Sequence, residues 1–373
     1  MEFKIDKEQF LKSLQKIQGI VEKRTSMPIL SNVLLEATET SLIVTATDLE
    51  VGMKSSYSAE IISPGKITVS AKKLFEIVKE LPNQTIMFSK KDNDWVEIKC
   101  GKVQFNIVGL SSDEFPYFPD VKKENLFEIE TSLLRGMIER TSYAICADEQ
   151  KYNLNGIFIK VEVREDGSNG LKMVATDGHR LSIASGNLNG TAGPELLRGV
   201  ILPKKGVFEM KKITDEEGGT LLFGFMDNSA VIKKGDSYMV MRLVDGDFPD
   251  YNRVIPTSNT QIVTVNKEDF SHSVRRMAIL SSEKFKGIML EITSGSVRIS
   301  SSNPELGDAT EELDVIYNGD PISVRFNARY LLDVLAIAET ERVEMKFKDE
   351  LSPSIIIPEN TESFLAVIMP MRL

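Results

Sequence analysis

One statement is made three times in this chain. Near position 30 it reads Pro28-Ile29-Leu30-Ser31-Asn32-Val33-Leu34-Leu35-Glu36 and then Leu42-Ile43-Val44-Thr45-Ala46-Thr47-Asp48. Near 154 it reads Leu154-Asn155-Gly156-Ile157-Phe158-Ile159 and then Leu171-Lys172-Met173-Val174-Ala175-Thr176-Asp177. Near 286 it reads Lys286-Gly287-Ile288-Met289-Leu290-Glu291 and then Val297-Arg298-Ile299-Ser300-Ser301-Ser302-Asn303. The anchors Asp48, Asp177 and Asn303 stand 129 and 126 positions apart. A repeat of that length is a whole domain rather than a solenoid turn. Three such domains in series predict a shape built by repetition, an arc or part of a ring.

The secondary-structure signals repeat with the same period. Each third opens on an amphipathic helix pattern: Phe10, Leu14, Ile17 and Val21; Leu133, Leu134, Met137 and Ile138; Phe270, Val274, Met277 and Ala278. Each has a second helix past its middle. The first is marked by Leu74, Ile77, Val78 and Leu81 before Pro82, the second by Val207, Met210 and Ile213 after Pro203. The third is marked by Leu331, Val334, Leu335 and Ala338, with Asn327 in its cap region. The β-branched or alternating runs at 86–88, 95–98, 103–108, 221–225, 238–243, 343–347 and 364–369 predict antiparallel strands joined by Gly, Asn and Asp turns. The fold class is therefore α+β, in three tandem copies of a unit with two helices on antiparallel sheet, spanning 1–128, 129–256 and 257–373.

Composition narrows the setting. At 42% hydrophobic residues each third can bury a core. No run approaches the ~18 apolar residues of a membrane span. The start, Met1-Glu2-Phe3-Lys4-Ile5-Asp6-Lys7-Glu8, has no secretory apolar stretch. Cys100 and Cys146 form no metal or redox spacing, so a cytoplasmic protein with reduced thiols is expected.

The net charge of −10 argues against a nucleic-acid partner until its distribution is considered. Six helix-containing windows, 7–24, 71–80, 131–142, 203–213, 266–277 and 324–338, hold 19 Lys and Arg against 9 Asp and Glu. They are thus +10, and the rest of the chain is −20. Lys and Arg are good helix formers and often only solvate an outer face. Lys72-Lys73 and Lys204-Lys205, however, open equivalent helices. If the helices share one face, a basic surface sits on an acidic body and holds a polyanion by backbone phosphates. Few aromatics interleave with these residues, which disfavours stacking on single-stranded bases.

Catalytic machinery is sparse. The only histidines are His179 and His272, and Asp177-Gly178-His179 has no nucleophile tied to it by a recognised motif; Ser182 and Ser185 are merely near in sequence. Pro64-Gly65-Lys66 lacks the rest of a phosphate loop. Asp245, Asp247 and Asp250 resemble the start of a calcium loop whose twelfth position is Pro256, so turn aspartates are expected instead. No cofactor or metal is expected.

The phrases Ala175-Thr176-Asp177-Gly178-His179-Arg180-Leu181, Phe248-Pro249-Asp250-Tyr251, Asn303-Pro304-Glu305 and Met369-Pro370-Met371-Arg372-Leu373 together resemble the bacterial sliding-clamp family, the β subunits of DNA polymerase III. The likeness runs the whole chain. It implies a non-catalytic processivity factor: a head-to-tail homodimer closed into a ring around duplex DNA, helices inside and sheets outside. Encirclement needs little affinity, so sequence-independent, salt-screened phosphate contacts allow sliding. By position, Arg24, Lys72, Lys73, Lys151, Tyr152, Lys204 and Lys205 match DNA-contacting residues of the family. Lys151 stands where some relatives have arginine, and Asn153 where some have tyrosine.

The family also takes short peptides, usually with glutamine, leucine and phenylalanine, in an outer groove between domains two and three. These come from the replicative polymerase, the clamp loader, other polymerases and repair proteins. The matching positions are Leu154, Thr176, Gly178, His179, Arg180, Leu181, Pro249, Arg253 and Val254 on one side. Phe285, Asn327, Tyr330 and the run Val367, Ile368, Met369, Pro370, Met371, Arg372 and Leu373 complete it. An apolar lining with a few orienting polar groups suits a peptide, and Met369 and Met371 adapt to several in turn. Ring closure is expected to set Lys73, Ile77, Phe105 and Ile107 against Ile279, Leu280, Glu311 and Glu312 of a second copy. Two other readings stand beside this one: a hydrolase centred on Asp177 and His179, and a protein-binding scaffold that never touches DNA.

Overall fold

The computed structural model describes residues 1–22, 27–119, 121, 126–164, 167–188, 193–215, 218–281 and 287–371. The first repeat runs β1 (Glu2–Asp6), α1 (Lys7–Ile17), β2 (Asn32–Ala37), β3 (Ser41–Thr47), β4 (Val51–Ser58), β5 (Glu60–Ser63), β6 (Gly65–Ser70), α2 (Ala71–Glu80), β7 (Thr85–Lys90), β8 (Trp95–Cys100) and β9 (Val103–Leu110). The second runs β10 (Leu126–Glu130), α3 (Thr131–Ser142), β11 (Gly156–Val163), β12 (Asn169–Thr176), β13 (Arg180–Leu188), α4 (Pro194–Arg198), β14 (Val200–Pro203), α5 (Lys204–Thr214), β15 (Thr220–Met226), β16 (Ser229–Lys234) and β17 (Ser237–Arg242). The third runs β18 (Gln261–Asn266), α6 (Lys267–Ala278), β19 (Gly287–Thr293), β20 (Ser296–Asn303), β21 (Gly307–Asp314), β22 (Ile322–Asn327), α7 (Ala328–Ile337), β23 (Arg342–Phe347), β24 (Ser354–Pro358) and β25 (Phe364–Ile368).

Local chemistry sets these limits. Asp6 caps α1 by accepting from the N–H groups of Glu8 and Gln9 at 2.9 and 3.1 Å. Asn266 caps α6 in the same way, with Glu268 and Asp269 at 2.9 and 3.1 Å. Each such cap satisfies helix-end N–H groups that have no partner inside the helix. Ser70 and Asn327 cap the second helices α2 and α7. Phe10, Leu14 and Ile17 form the buried stripe of α1. Val21 lies past the end of that helix, although its spacing continues the pattern. The five-residue α4, with Pro194 at its start and Gly199 in a left-handed conformation after it, is too short to show a helical period in sequence.

The chain forms two compact units. One holds Met1–Ser132 with Lys205–Leu243, the other Leu133–Lys204 with Val244–Leu373. In the first, thirteen strands form one sheet, in the order β10-β15-β16-β17-β4-β3-β2-β6-β9-β8-β7-β1-β5. Its seam joins two repeats: β17 lies antiparallel to β4, Met239 opposite Met53 and Met241 opposite Val51. The second unit has an eight-stranded sheet, β14-β11-β12-β13-β25-β24-β23-β18, and a four-stranded one, β21-β20-β19-β22. Its seam is built alike, with β25 against β13, Val367 opposite Leu181. In both seams the last strand of one repeat pairs with the third strand after the first helix of the repeat before it. Two strands of those same kinds remain. Among the described residues, β21 pairs only with β20, and residues 103–108 of β9 pair only with β8.

Cores are built from aromatic and aliphatic side chains. Phe3 stacks on Phe88 with ring centroids 4.8 Å apart, and Phe10 meets Phe3 edge-on. In the third repeat Phe270, Leu290, Phe326, Leu331 and Phe347 share one cluster. Cys100 and Cys146 are buried free thiols. No helix among the described residues is long and apolar enough to cross a membrane.

Candidate functional site

The β12–β13 turn is held by its own side chains. Thr176 Oγ1 donates to the Arg180 carbonyl at 2.6 Å and accepts from the Gly178 N–H at 3.1 Å. Asp177 Oδ1 accepts from the N–H groups of His179 and Arg180 at 2.9 and 3.0 Å, and its other oxygen accepts from Arg180 Nε at 3.0 Å. Gly178 takes φ +91°, which glycine adopts without a Cβ penalty. Asp177 is thus engaged with the turn backbone and the Arg180 guanidinium, where a catalytic pair would need it to orient an imidazole. His179 is exposed. Ser182 is fully buried and donates to the Arg140 carbonyl at 2.5 Å, so it does not serve as a nucleophile beside His179. The hydrolase reading fails on this geometry.

Arg180, expected to line a groove, is instead a buried hub, 9% exposed. Besides Asp177 it donates to Asp333 Oδ2 at 2.5 Å and to the Tyr143 carbonyl at 2.6 Å. Its guanidinium lies 4.4 Å from the Tyr330 ring centroid and 5.2 Å from that of Tyr143. Such a planar fork satisfies several acceptors at once while stacking on rings. Burial pushes the Tyr143 phenol far above its ordinary range. Burial also raises the Tyr330 phenol, with Asp177 adding to the shift.

Around this turn the second unit gathers most of the remaining groove positions. Leu181 and Val367 share a cluster with Val174, Ile183, Tyr251 and Ile355. Val367 and Ile368 are buried and form a floor, while Met369 is 38% exposed. The tail is fixed by backbone: the Met369 N–H donates to the His179 carbonyl at 2.9 Å and the Met371 N–H to the Arg325 carbonyl at 2.8 Å. Pro370 is half-buried. A Cβ on Gly287 would stand 3.3 Å from Met371 Sδ, so that glycine makes room for the tail. Asn327 spends its side chain on capping α7, accepting from the Arg329 N–H at 3.0 Å. Pro249 and Val254 are exposed, and Arg253 pairs with Asp250 at 3.0 Å. Leu154 is half-buried, and its carbonyl accepts from the Cys146 N–H at 3.1 Å. Phe285, Arg372 and Leu373 lie outside the described residues. Phe158, Phe248 and Tyr251 support the site and were not singled out by sequence. Phe158 and Phe248 stack at 5.0 Å, and the signal lay in the phrase Phe248-Pro249-Asp250-Tyr251, of which only Pro249 was taken.

The basic positions divide. Lys72 and Lys73 are exposed on α2, with Glu76 at 3.9 and 2.9 Å. Lys151 is exposed, and Tyr152 is 60% exposed with Gly246 making room beside its ring. Lys204 is half-buried. Lys205 is turned inward: it donates to the Ile20 carbonyl at 2.8 Å and pairs with Asp48, whose side chain is 3% exposed. Arg24 lies outside the described residues.

Of the positions expected at a seam between copies, Phe105, Ile107, Glu311 and Glu312 lie on the two strands with an open side, and the other four lie on or just after helices. Phe105 and Ile107 lie on β9, with Lys73 and Ile77 on α2. Ile279, 75% exposed, and Leu280 follow α6, and Glu311 and Glu312 lie on β21. Glu311 already has a cation of its own chain: Arg276 Nε donates to it at 2.8 Å and holds its carboxyl below the usual carboxylate range. Among the described residues no group of His, Cys, Asp and Glu could hold a metal ion.

Three family profiles match the chain in order. They are the DNA polymerase III beta subunit N-terminal domain over residues 1–119, central domain over 128–250 and C-terminal domain over 252–372. A beta sliding clamp of Pseudomonas putida is 36% identical over 374 residues, covering all of both chains. Among solved structures, a sliding clamp from Bartonella birtlesii bound to griselimycin is 33% identical with a TM-score of 0.94, covering 100% of each chain. The DNA polymerase III subunit beta of Pseudomonas aeruginosa is 36% identical with a TM-score of 0.92, again over 100% of each.

Proposed function

The chain belongs to the DNA polymerase III beta-subunit family, and from that premise we propose how it works as a DNA sliding clamp, a non-catalytic subunit that tethers the polymerase to its template. Two copies join head to tail into a ring, and duplex DNA passes through the hole. The observation that supports the ring is the pair of unfinished edges. Repetition joins β4 to β17 and β13 to β25, and among the described residues it leaves the matching strands with one side open, β21 paired only with β20 and residues 103–108 of β9 paired only with β8. Open edges of this kind invite a further chain, and β21 of one copy against β9 of another repeats the seam pattern found within the chain. Because Lys73 and Glu311 have partners within the chain, the apolar residues Ile77, Phe105, Ile107, Ile279 and Leu280 carry this seam. We place the domain boundaries near 128 and 256.

Lys72, Lys73, Lys151, Tyr152 and Lys204, with Arg24, touch DNA phosphates, while Lys205 serves chiefly to hold Asp48. A lining of that kind on a body of net charge −10 keeps contacts weak and salt-screened, as sliding requires. The groove around Leu181, Val254, Met369 and Met371 takes apolar peptide segments of the replicative polymerase, the clamp loader, other polymerases and repair proteins. The setting is the cytoplasm. Negative-stain imaging of the purified chain tests the ring: a hollow toroid of two copies is expected, and a solid monomeric particle would overturn it.

A further inference from the structure

The second helix of each repeat opens alike. Leu74 on α2, Val207 on α5 and Leu331 on α7 are all fully buried and fix a common register. Two residues earlier stand the cations Lys72, Lys205 and Arg329; two residues later stand the acids Glu76, Glu209 and Asp333. Each seam within the chain uses one member of this couple. At the β4–β17 seam, Asp48 in the β3–β4 turn takes Lys205. At the β13–β25 seam, Arg180 at the β12–β13 turn takes Asp333. A charge on the turn of one repeat thus fastens to the helix of the next, with the charges swapped between seams.

The equivalent turn of the third repeat follows β20 and begins at Asn303. Four residues separate the Thr47–Gly52 and Thr176–Leu181 pairs, and five separate Ser302–Asp308, so this turn is one residue longer. One hydrogen bond of the turn is kept: Asn303 Oδ1 accepts from the Glu305 N–H at 3.0 Å, as Asp48 does from Glu50 at 2.9 Å. Asn303 is 8% exposed and uncharged, so where Asp48 offers a second carboxylate oxygen it offers an amide. On the opposite side, the α2 couple is disposed like that of α7, with Lys72 3.9 Å from Glu76 and Arg329 4.0 Å from Asp333, and Glu76 also takes Lys73 at 2.9 Å.

We infer that the seam between copies lacks the ion-pair latch that fastens both seams within the chain, with Asn303 at the vacant position facing the Lys72/Glu76 couple of the second copy. The inference rests on the reading that two copies pair through β21 and β9. Asn303 then sets the strength of self-association, keeping closed rings separable where an acid would lock them.

Sedimentation equilibrium of the full chain at low salt tests this with four proteins: unaltered, Asn303→Asp, Lys72→Ala and the double variant. Asp keeps the oxygen that orders the turn, so matching thermal melts of the monomer are expected. Asn303→Asp should lower the dimer dissociation constant roughly tenfold. The gain should shrink as salt is added and vanish in the Lys72→Ala background. An unchanged dissociation constant in Asn303→Asp, or a gain that survives Lys72→Ala, would overturn the latch while leaving the dimer standing. An unaltered chain that stays monomeric at every concentration would overturn the pairing and the latch together.

Discussion

Arg180 and Asp333, 153 positions apart, meet at 2.5 Å at the seam between β13 and β25, and neither side chain has an exposed fraction above 29%. The contact ties the second repeat to the third inside one compact unit, and Tyr330 packs against the same guanidinium. Arg180→Ala should therefore destabilise the protein by about 3 kcal/mol, because it strands two carboxylates that are partly out of water. Arg180→Lys should not restore stability, since an ammonium cannot reproduce the fork. Urea unfolding measures both. A double variant with Asp333→Ala should lose less than the sum of the single losses.

Lys204 and Lys205 are neighbours with different fates. Lys204→Glu should leave thermal stability nearly unchanged and weaken retention on DNA. Lys205→Glu should lower the melting temperature by several degrees, because it sets a second acid against Asp48, buried beside the turn. Paired melts and DNA-retention assays separate the two. Equal loss of stability in both variants would contradict the assignment.

Tyr143 gives the protein an alkaline limit. Its folded phenol is held protonated by burial, so it titrates well above the ordinary value of 10.0. A group raised in the folded state contributes stability that is complete below its unfolded value and is lost as pH climbs through the folded one. Above about pH 10 the unfolded chain releases this proton and the folded one does not, costing up to about 1.4 kcal/mol per pH unit. Tyr143→Phe should flatten that part of the stability–pH curve, measured by chemical denaturation between pH 9 and 11.

Deleting Met369 to Leu373 removes the backbone hydrogen bonds to His179 and Arg325 along with two methionines of the groove. Binding of an apolar partner peptide, followed by fluorescence anisotropy, should fall below detection while the sedimenting mass stays that of the undeleted protein. Full affinity after deletion would remove the tail from the groove.

Much of this is legible in the sequence. The apolar spacings of α1, α2, α3, α5, α6 and α7 are local and survived folding. The anchors Asp48, Asp177 and Asn303 proved to start three equivalent turns, because a short polar side chain bonding its own backbone is a local signal too. What sequence could not reveal was set by distant partners. Lys205 reads as a surface cation until the fold brings Asp48, 157 positions away, against it. Arg180 reads as groove lining until Asp333 and two tyrosine rings enclose it. The seams that merge repeats into continuous sheets are pairings between strands whose patterns give no hint of their neighbours.

Encirclement is the central claim, and topology is its most direct test. Loaded onto nicked circular plasmid and passed through a sizing column, the protein should remain with the DNA, and cutting the plasmid once should release it by sliding off the ends. Equal retention on circular and linear DNA of the same length would contradict the ring.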